Sequence, residues 1–239
     1  MKNVTLQLYS VNDYLQDDFY GTLKRVAELG YRYVEFAGYK GNDVNTLKIW
    51  LQELGLKAVS NHCNIENMDE EITFAKELGM KNLACPAAWQ SHLADVKLWA
   101  EDYTKIGKKC AENGIAFSYH NHAFEFEKRD GEYLLDSLFQ NTDPSLVNVQ
   151  PDFFWIAYAG EDPVKYAEKY KDRMPTVHCK EISDLENKLC VAVGDGIVDF
   201  AKIYDILGDD RYYIVELEDL GDSVWEAAQR SLDYLAALS

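Results

Sequence analysis

The chain has 239 residues and a mass of 27.4 kDa, with 47% hydrophobic and 27% charged residues. This composition supplies enough apolar material for a substantial core, which excludes a disordered chain, and the length suits one large domain or two small ones. The formal net charge of −17 and the pI of about 4.6 argue against nucleic acid and a membrane surface as partners.

Short runs rich in Val, Ile, Tyr and Phe predict β-strands, and they alternate with segments whose apolar residues recur at helical spacing. The predicted strands are 4–9, 31–36, 56–61, 81–85, 115–120, 146–151, 174–179 and 211–217. The predicted helices are roughly 18–29, 43–54, 68–79, 92–113, 131–140, 162–172, 198–207 and 222–238. Glu-Leu-Gly at 28–30, 53–55 and 77–79 ends three of these helices just before a strand.

Strict alternation of strands and helices favours parallel strands joined by right-handed crossovers. Eight repeats of about thirty residues have the size of a (β/α)₈ TIM barrel. The rival, a doubly wound open sheet, usually carries a Gly-rich phosphate loop after its first strand, but residues 8–13 read LYSVND. We therefore expect a single barrel domain over 1–239 without a nucleotide cofactor.

The cysteines and the N-terminal sequence bear on where the protein works. Five cysteines without C-x-x-C spacing predict reduced thiols. The first residues lack the pattern of a signal peptide, and no apolar run is long enough for a transmembrane helix. We therefore expect a cytoplasmic protein, and the sequence leaves its assembly into a homo-oligomer open.

Polar residues cluster where the predicted strands end, which in such a barrel is the location of the active site. They are Gln7, Glu35, Asn61, His62, His120, Asn121, His122, Asp152, His178, Lys180, Glu216 and Glu218. Because side chains alternate along a strand, His120 with His122, His178 with Lys180, and Glu216 with Glu218 are each expected to share one face.

Asp152, His178 and Glu216 end three successive strands within apolar runs, and burying them unpaired would cost several kcal/mol. A shared divalent metal such as Mn²⁺, Co²⁺, Zn²⁺ or Mg²⁺, or a shared hydrogen-bond network, would explain them. Taken singly, His62 and Glu35 also fit structural roles, because a lone His at a strand end is commonly a hydrogen-bonded structural residue.

An ordered set of segments resembles the sugar phosphate isomerase/epimerase family, the xylose isomerase-like TIM barrels. The segments are YHNHAFEF at 119–126, the stretch around Asp152, VHCKE around His178, VGDGIVDF at 193–200 and YIVELED around Glu216. The resemblance covers nearly the whole chain and is strongest from about residue 115 onward.

The resemblance implies one divalent metal held by Glu, Asp, His and Glu at the ends of strands five to eight. Asp152, His178 and Glu216 match the last three positions, whereas the fifth strand carries His120 where many relatives carry Glu. The fourth ligand therefore stays open among His120, His122 and Glu125, with His120 favoured by register. Substrate contacts are expected from Glu35, His62, His122 and Lys180.

The family chemistry implies proton removal next to a metal-bound carbonyl of a small carbohydrate, through an enediolate. Glu216 is then expected to act as base, with His120 and Lys180 as further catalytic groups. Isomerisation or epimerisation of a sugar, keto-sugar or sugar phosphate is the leading hypothesis. The alternatives are a hydro-lyase resembling inosose dehydratase, a non-catalytic sugar-binding barrel, and a DNA repair endonuclease, which the net charge disfavours.

Overall fold

The computed structural model describes residues 3–86, 88 and 90–238. Within these residues, short strands alternate with helices along the chain, as the periodicity predicts. The parallel barrel strands are β1 Val4–Gln7, β2 Tyr33–Phe36, β3 Lys57–Asn61, β4 Asn82–Cys85, β5 Ala116–His120, β6 Val147–Gln150, β7 Thr176–Cys179 and β8 Tyr212–Val215. The predicted domain 1–239 also contains residues 1, 2, 87, 89 and 239, which lie outside the described residues.

The strands close into a ring. Five of them pair in the order β3-β2-β1-β8-β7, and the other three pair as β4-β5-β6. Two isolated parallel bridges join these sheets, one from His62 to Ala84 and the other from Asp152 to His178. The prediction of a (β/α)₈ barrel is confirmed, and both joining bridges lie at the carboxyl ends of the strands.

The helices surround the barrel. They are α1 Asn12–Asp17, α2 Phe19–Glu28, α3 Val44–Leu54, α4 Met68–Leu78, α5 Gln90–Ala94, α6 Val96–Ala111, α7 Leu134–Gln140, α8 Phe153–Tyr158, α9 Pro163–Tyr170, α10 Phe200–Leu207 and α11 Val224–Ala237. Gly55 and Gly79 end α3 and α4 in the left-handed conformation, as predicted. The predicted helix 92–113 is instead broken at Asp95, whose carboxylate caps the start of α6.

The strands are buried on both faces, because the helices cover the outside and side chains fill the inside. Apolar residues such as Leu6, Val34 and Val177 face the helices, because each alternates along its strand with a polar neighbour. Those neighbours, Gln7, Glu35 and His178, face the inside of the barrel together with Gln150, and all four are fully buried. Burying such groups is costly unless they are paired, so this polar layer marks the end of the barrel where a site is expected.

Two short antiparallel hairpins add to the barrel. One pairs Lys128–Arg129 with Glu132–Tyr133, and the other pairs Glu181–Ile182 with Cys190–Val191. The second follows directly on β7 and Lys180. Among the described residues, no helix combines the length and apolar character that crossing a membrane requires.

Candidate metal centre and active site

Four of the predicted site residues form one buried group, here called the four-residue cluster. It consists of His120, Asp152, His178 and Glu216, each from a different strand end, and one ligand atom from each lies within 4.8 Å of the others. All four side chains are buried. Their convergence follows from the barrel, which directs the carboxyl ends of neighbouring strands to one place.

Each member of the four-residue cluster has a buried polar atom that is left without a hydrogen bond by the described residues. These atoms are Nδ1 of His120, Nδ1 of His178, Oδ2 of Asp152 and Oε2 of Glu216. Of these atoms, Nδ1 of His178 and Oε2 of Glu216 lie 2.6 Å apart as an ion pair. Leaving several such atoms unsatisfied is costly, and a divalent cation would satisfy them together.

The donor set fits a divalent metal. Two imidazoles and two carboxylates offer the mixed nitrogen and oxygen ligands that suit Mn²⁺, Co²⁺ or Zn²⁺. Cys179, which follows His178, is buried and is not part of the group. A second set, His62, His120 and His178, also has ligand atoms within 4.8 Å of one another and could share a metal.

Asp152 owes its orientation to the helix that follows it. As the N-cap of α8, it accepts hydrogen bonds on Oδ1 from the backbone N–H groups of Phe154 and Trp155, at 2.9 and 3.3 Å. Its own N–H donates to Oδ1 of Asn121 at 3.0 Å. The second carboxylate oxygen therefore stays directed into the four-residue cluster without the freedom of an ordinary Asp side chain.

Lys180 is buried beside Glu216 and is confined by charge and by aromatic rings. Its Nζ lies 3.4 Å from Oε1 of Glu216 and 2.7 Å from Oε2 of Glu218. The ring centroids of Trp155 and Phe154 lie 4.8 and 5.2 Å from Nζ. Lys180 thus contacts Glu216 and Glu218, the two carboxylates that the sequence predicts to share one face.

The charges in the site are strongly coupled. Burial alone would raise the pKa of Glu216, but Lys180 and His178 outweigh it and hold that pKa well below its usual range. Burial opposes a charged His178, yet Glu35 and Glu216 raise its pKa to about 10. For Asp152 burial prevails and raises the pKa to about 7.

His62 and His122 flank the four-residue cluster on different sides. The His62 ring stacks on His178 with centroids 5.0 Å apart, and its Nε2 lies 2.8 Å from Oε1 of Gln150. His122 lies edge-on to His120 at 5.2 Å. Burial lowers the pKa of His122 to about 4, so this ring is neutral near pH 7.

The carboxylates of Glu35 and Glu125 both accept hydrogen bonds from other groups of the protein. Glu35 is fully buried and accepts hydrogen bonds on both oxygens, on Oε1 from Gln7 and His178 and on Oε2 from Gln150. Glu125 accepts from the Tyr119 hydroxyl and, at 2.9 Å, from the backbone N–H of His122. Among the described residues, the metal-compatible sets contain His120 and neither alternate, His122 nor Glu125.

Sequence reasoning missed three contributors to the site: Gln150, Phe154 and Trp155. Gln150 stands two residues before Asp152, so the same alternation rule that paired His178 with Lys180 would have found it. The two aromatic residues belong to α8, a short helix that no predicted segment included. An Asp followed by an apolar run, the usual N-cap pattern, was the available signal.

Among the clefts lined by described residues, two open at this end of the barrel. One, of about 870 Å³, lies between the loops after β1 and β8 and includes Asn12, Asp13, Asp17, Glu218 and Asp222. The other, of about 460 Å³, is mainly apolar and includes His122, Phe124 and Trp155. Each cleft thus shares a wall with a residue next to the four-residue cluster.

Comparison with known proteins gives the same architecture. The family model for the xylose isomerase-like TIM barrel matches residues 23–238. Two solved structures from Parabacteroides distasonis, both titled sugar phosphate isomerase/epimerase, superpose with TM-scores of 0.82 and 0.83 at 26% and 25% identity. The first covers 99% of this chain and 94% of its own, and the second covers 98% of each.

Curated relatives are similar over a shorter stretch. An inosose dehydratase from Clostridium beijerinckii is 28% identical over 144 residues, which is 54% of this chain and 48% of the relative. An inosose dehydratase from Bacillus cereus is 28% identical over 138 residues, 50% of this chain and 46% of the relative. The aligned stretch thus spans about half the length of these curated relatives.

Proposed function

Because the chain belongs to the xylose isomerase-like TIM barrel family, we propose that it is a divalent-metal-dependent isomerase or epimerase of a small carbohydrate. The substrate class is a sugar, keto-sugar or sugar phosphate with a hydroxyl next to its carbonyl. The full-length likeness to two structures titled sugar phosphate isomerase/epimerase supports this class of reaction.

The observation that carries the proposal is the set of unsatisfied buried atoms on the four-residue cluster. His120, Asp152, His178 and Glu216 would hold the ion. A divalent ion there supplies Lewis acidity, which polarises neighbouring substrate oxygens and makes the adjacent C–H acidic. A purely structural network would be expected to pair all four atoms with one another, yet Nδ1 of His120 and Oδ2 of Asp152 have no hydrogen-bond partner among the described residues.

Glu216 is the proposed base that removes the substrate proton. Lys180 and His178 keep its pKa low, so it is ionised and ready to accept a proton near pH 7. Lys180, held at 3.4 Å from Glu216, is placed to donate a hydrogen bond to a substrate oxygen on the same side. His62 and His122 lie beside the ion site and serve as neutral hydrogen-bonding groups to substrate hydroxyls.

His120 decides between the kinds of isomerisation. Epimerisation by two carboxylates on opposite faces of the substrate needs a second acid. Many relatives carry Glu for this purpose on β5, where this chain has His120. Burial and the neighbouring imidazoles hold the pKa of His120 well below its ordinary value. His120 therefore suits a metal ligand better than a proton donor, which favours proton transfer on one face, as in an aldose–ketose isomerisation.

A hydro-lyase is the second candidate, since the curated relatives are named inosose dehydratases. Glu216 and Lys180 lie on the same side of the site, so one could remove a proton while the other donates a proton to a departing hydroxyl. A keto-cyclitol or keto-sugar would be the substrate. The cytoplasmic location predicted from the sequence suits either activity.

The first experiment is metal content by elemental mass spectrometry on protein purified without chelator, for the parent and for His178→Ala. We expect near one transition-metal ion per parent chain and its loss in the variant. No metal in the parent, even after incubation with Mn²⁺, Co²⁺ and Zn²⁺, would contradict the proposal.

Product analysis in D₂O then separates the candidates. Isomerisation or epimerisation keeps the substrate mass apart from deuterium gained at carbon, whereas a hydro-lyase releases one water. Asp152→Ala and Glu216→Gln variants should lose turnover. A protein that binds sugars but never exchanges a carbon-bound proton would be the non-catalytic barrel.

A further inference from the structure

Glu35 is a carboxylate without exposed surface that contacts the four-residue cluster from the side opposite Glu216. Its Oε1 lies 2.7 Å from Nε2 of His178, while Nδ1 of the same ring lies 2.6 Å from Glu216. The imidazole of His178 is therefore held between two carboxylates. Burying a second charged group here would destabilise the barrel unless that group had partners.

Besides His178, the carboxylate of Glu35 contacts Gln7, Gln150 and His62, whose Nε2 lies 3.2 Å from Oε1. Gln7 donates to Oε1 at 2.7 Å and Gln150 donates to Oε2 at 2.8 Å. Both amides are themselves fixed: Gln7 Oε1 accepts from the backbone N–H of Tyr9 at 3.1 Å, and Gln150 also donates to Thr176 at 2.9 Å. The carboxylate therefore cannot rotate away from His178 without breaking several buried hydrogen bonds.

We propose that Glu35 is a positioning residue that fixes the tautomer and ring plane of His178. An ionised carboxylate only accepts hydrogen bonds, so the nitrogen facing it, Nε2, must carry a proton. The other nitrogen, Nδ1, faces Glu216 and would release the proton it carries to present its lone pair to the ion of the proposed metal site. The inference rests on that proposed function, because the ion is what Nδ1 would bind.

The charge of Glu35 adds to its geometry. A carboxylate behind a metal-binding imidazole makes the ring a stronger ligand, and removing such a partner commonly weakens metal binding by about 10- to 100-fold. Glutamine at position 35 would keep the size and one acceptor oxygen but lose the charge. Glu35→Gln therefore removes the charge with little change in size, and its NH₂ group replaces one of the two oxygens that accept hydrogen bonds from Gln7, Gln150 and His178.

The direct test uses the parent protein. With Zn²⁺ as a diamagnetic probe, ¹⁵N NMR of the His178 ring should show Nε2 bearing the proton and Nδ1 bound to the metal. A ring that binds Zn²⁺ through Nε2 would overturn the inference. This readout needs no variant and does not depend on turnover.

The variant test measures Mn²⁺ affinity by calorimetry for the parent, Glu35→Gln and Ser118→Ala. Ser118 is a buried barrel residue whose hydroxyl has no hydrogen-bond partner among the described residues, so its removal controls for a change in the barrel interior. We expect at least 10-fold weaker binding for Glu35→Gln and parent-like binding for Ser118→Ala.

The outcomes separate this inference from the proposed function. If the parent binds no metal, the metal site fails and the inference fails with it. If the parent and Glu35→Gln bind Mn²⁺ equally, the site stands and Glu35 has no positioning role. Should Glu35→Gln not fold, as judged by circular dichroism, the NMR assignment in the parent decides.

Discussion

Asp152 and His178 are joined through their backbones as well as through the candidate site. The isolated bridge between them connects β6 to β7, and the His178 N–H donates to the Pro151 carbonyl at 2.8 Å. Their side chains are two members of the four-residue cluster. The join between β6 and β7 is one of the two that close the barrel, and it coincides with the proposed metal site. An ion bound there should therefore stabilise the whole fold.

The first prediction concerns the two roles of Asp152, which caps α8 through Oδ1 and is a proposed metal ligand through Oδ2. Measuring stability with and without metal should distinguish these roles. Asn is as good an N-cap as Asp, so Asp152→Asn should keep the cap on α8 while replacing the free Oδ2. We expect metal-free Asp152→Asn to unfold within about 1 kcal/mol of the metal-free parent. Saturating Mn²⁺ at 100 times its dissociation constant should stabilise the parent by about 2.7 kcal/mol and the variant much less.

Thermal unfolding with and without Mn²⁺ checks this prediction. Asp162→Asn is the matched control. Asp162 caps α9 by accepting from the backbone N–H groups two and three residues further on, as Asp152 does for α8, and it lies outside the four-residue cluster. Its response to Mn²⁺ should equal that of the parent. Equal stabilisation of Asp152→Asn would show that Asp152 does not bind the ion.

The second prediction concerns Glu125, which the sequence left open as a ligand. In the structure it anchors the loop after β5 through Tyr119 and His122. Glu125→Gln should retain the metal of the parent and lose about 1–2 kcal/mol of unfolding free energy, because one charged hydrogen bond is weakened. Elemental analysis and urea unfolding measure the two quantities, and Glu216→Gln provides the comparison in which metal should fall. Metal loss in Glu125→Gln would restore Glu125 as a ligand.

The sequence predicts the barrel and most of the site because both depend on short-range patterns. Strand and helix periods identify the repeats, and the period-two rule puts His178 and Lys180 on one face. Together with the convergence of strand ends in a barrel, these rules group Asp152, His178 and Glu216. The four-ligand pattern comes from the family resemblance, which leaves the fourth ligand open among His120, His122 and Glu125.

The remaining features depend on contacts between residues distant in the chain. Glu35 contacts His178, which lies 143 residues away along the chain. Likewise, His62 meets Gln150 across 88 residues. Local sequence carries no signal for such pairings, and α8 escaped prediction because a helix of six residues is too short to show a helical period.

The third prediction uses Glu181, a buried carboxylate next to Lys180. It accepts hydrogen bonds from the backbone N–H groups of Ile182, Gly194 and Val198 at 3.0, 3.3 and 3.1 Å. Burial nevertheless raises its pKa to about 7. The unfolded chain releases this proton near pH 4.5, so between about 4.5 and 7 the folded state holds more protons and stability falls as the pH rises.

Glu181 should therefore reduce the unfolding free energy by up to about 3 kcal/mol over that pH range. Glu181→Gln lacks the titration, and its stability should show a flatter pH dependence, although the lost acceptor lowers its absolute stability. Urea unfolding at a series of pH values measures both slopes. Glu186→Gln, in the exposed turn of the same hairpin, controls for general charge effects, and equal slopes for the parent and Glu181→Gln would refute the assignment.

The fourth prediction is that Lys180 serves turnover and not metal binding. Methionine at position 180 keeps an unbranched chain against Trp155 and Phe154 but removes the ammonium group that contacts Glu216 and Glu218. We expect Lys180→Met to retain metal and to lose about 10²-fold or more in kcat, the usual loss for a positioned proton donor.

Lys188→Met is the matched control for Lys180→Met. Lys188 belongs to the loop that follows β7, and its Nζ lies over the ring of Tyr158. Among the described residues, this Nζ donates a hydrogen bond only to the Tyr158 carbonyl, at 2.8 Å. Its kcat should stay within about twofold of the parent, since a surface lysine outside the site has no transition state to stabilise. Metal loss in Lys180→Met would instead mean that the ammonium group holds Glu216 in place for the ion, and unchanged kcat would remove Lys180 from the proposed chemistry.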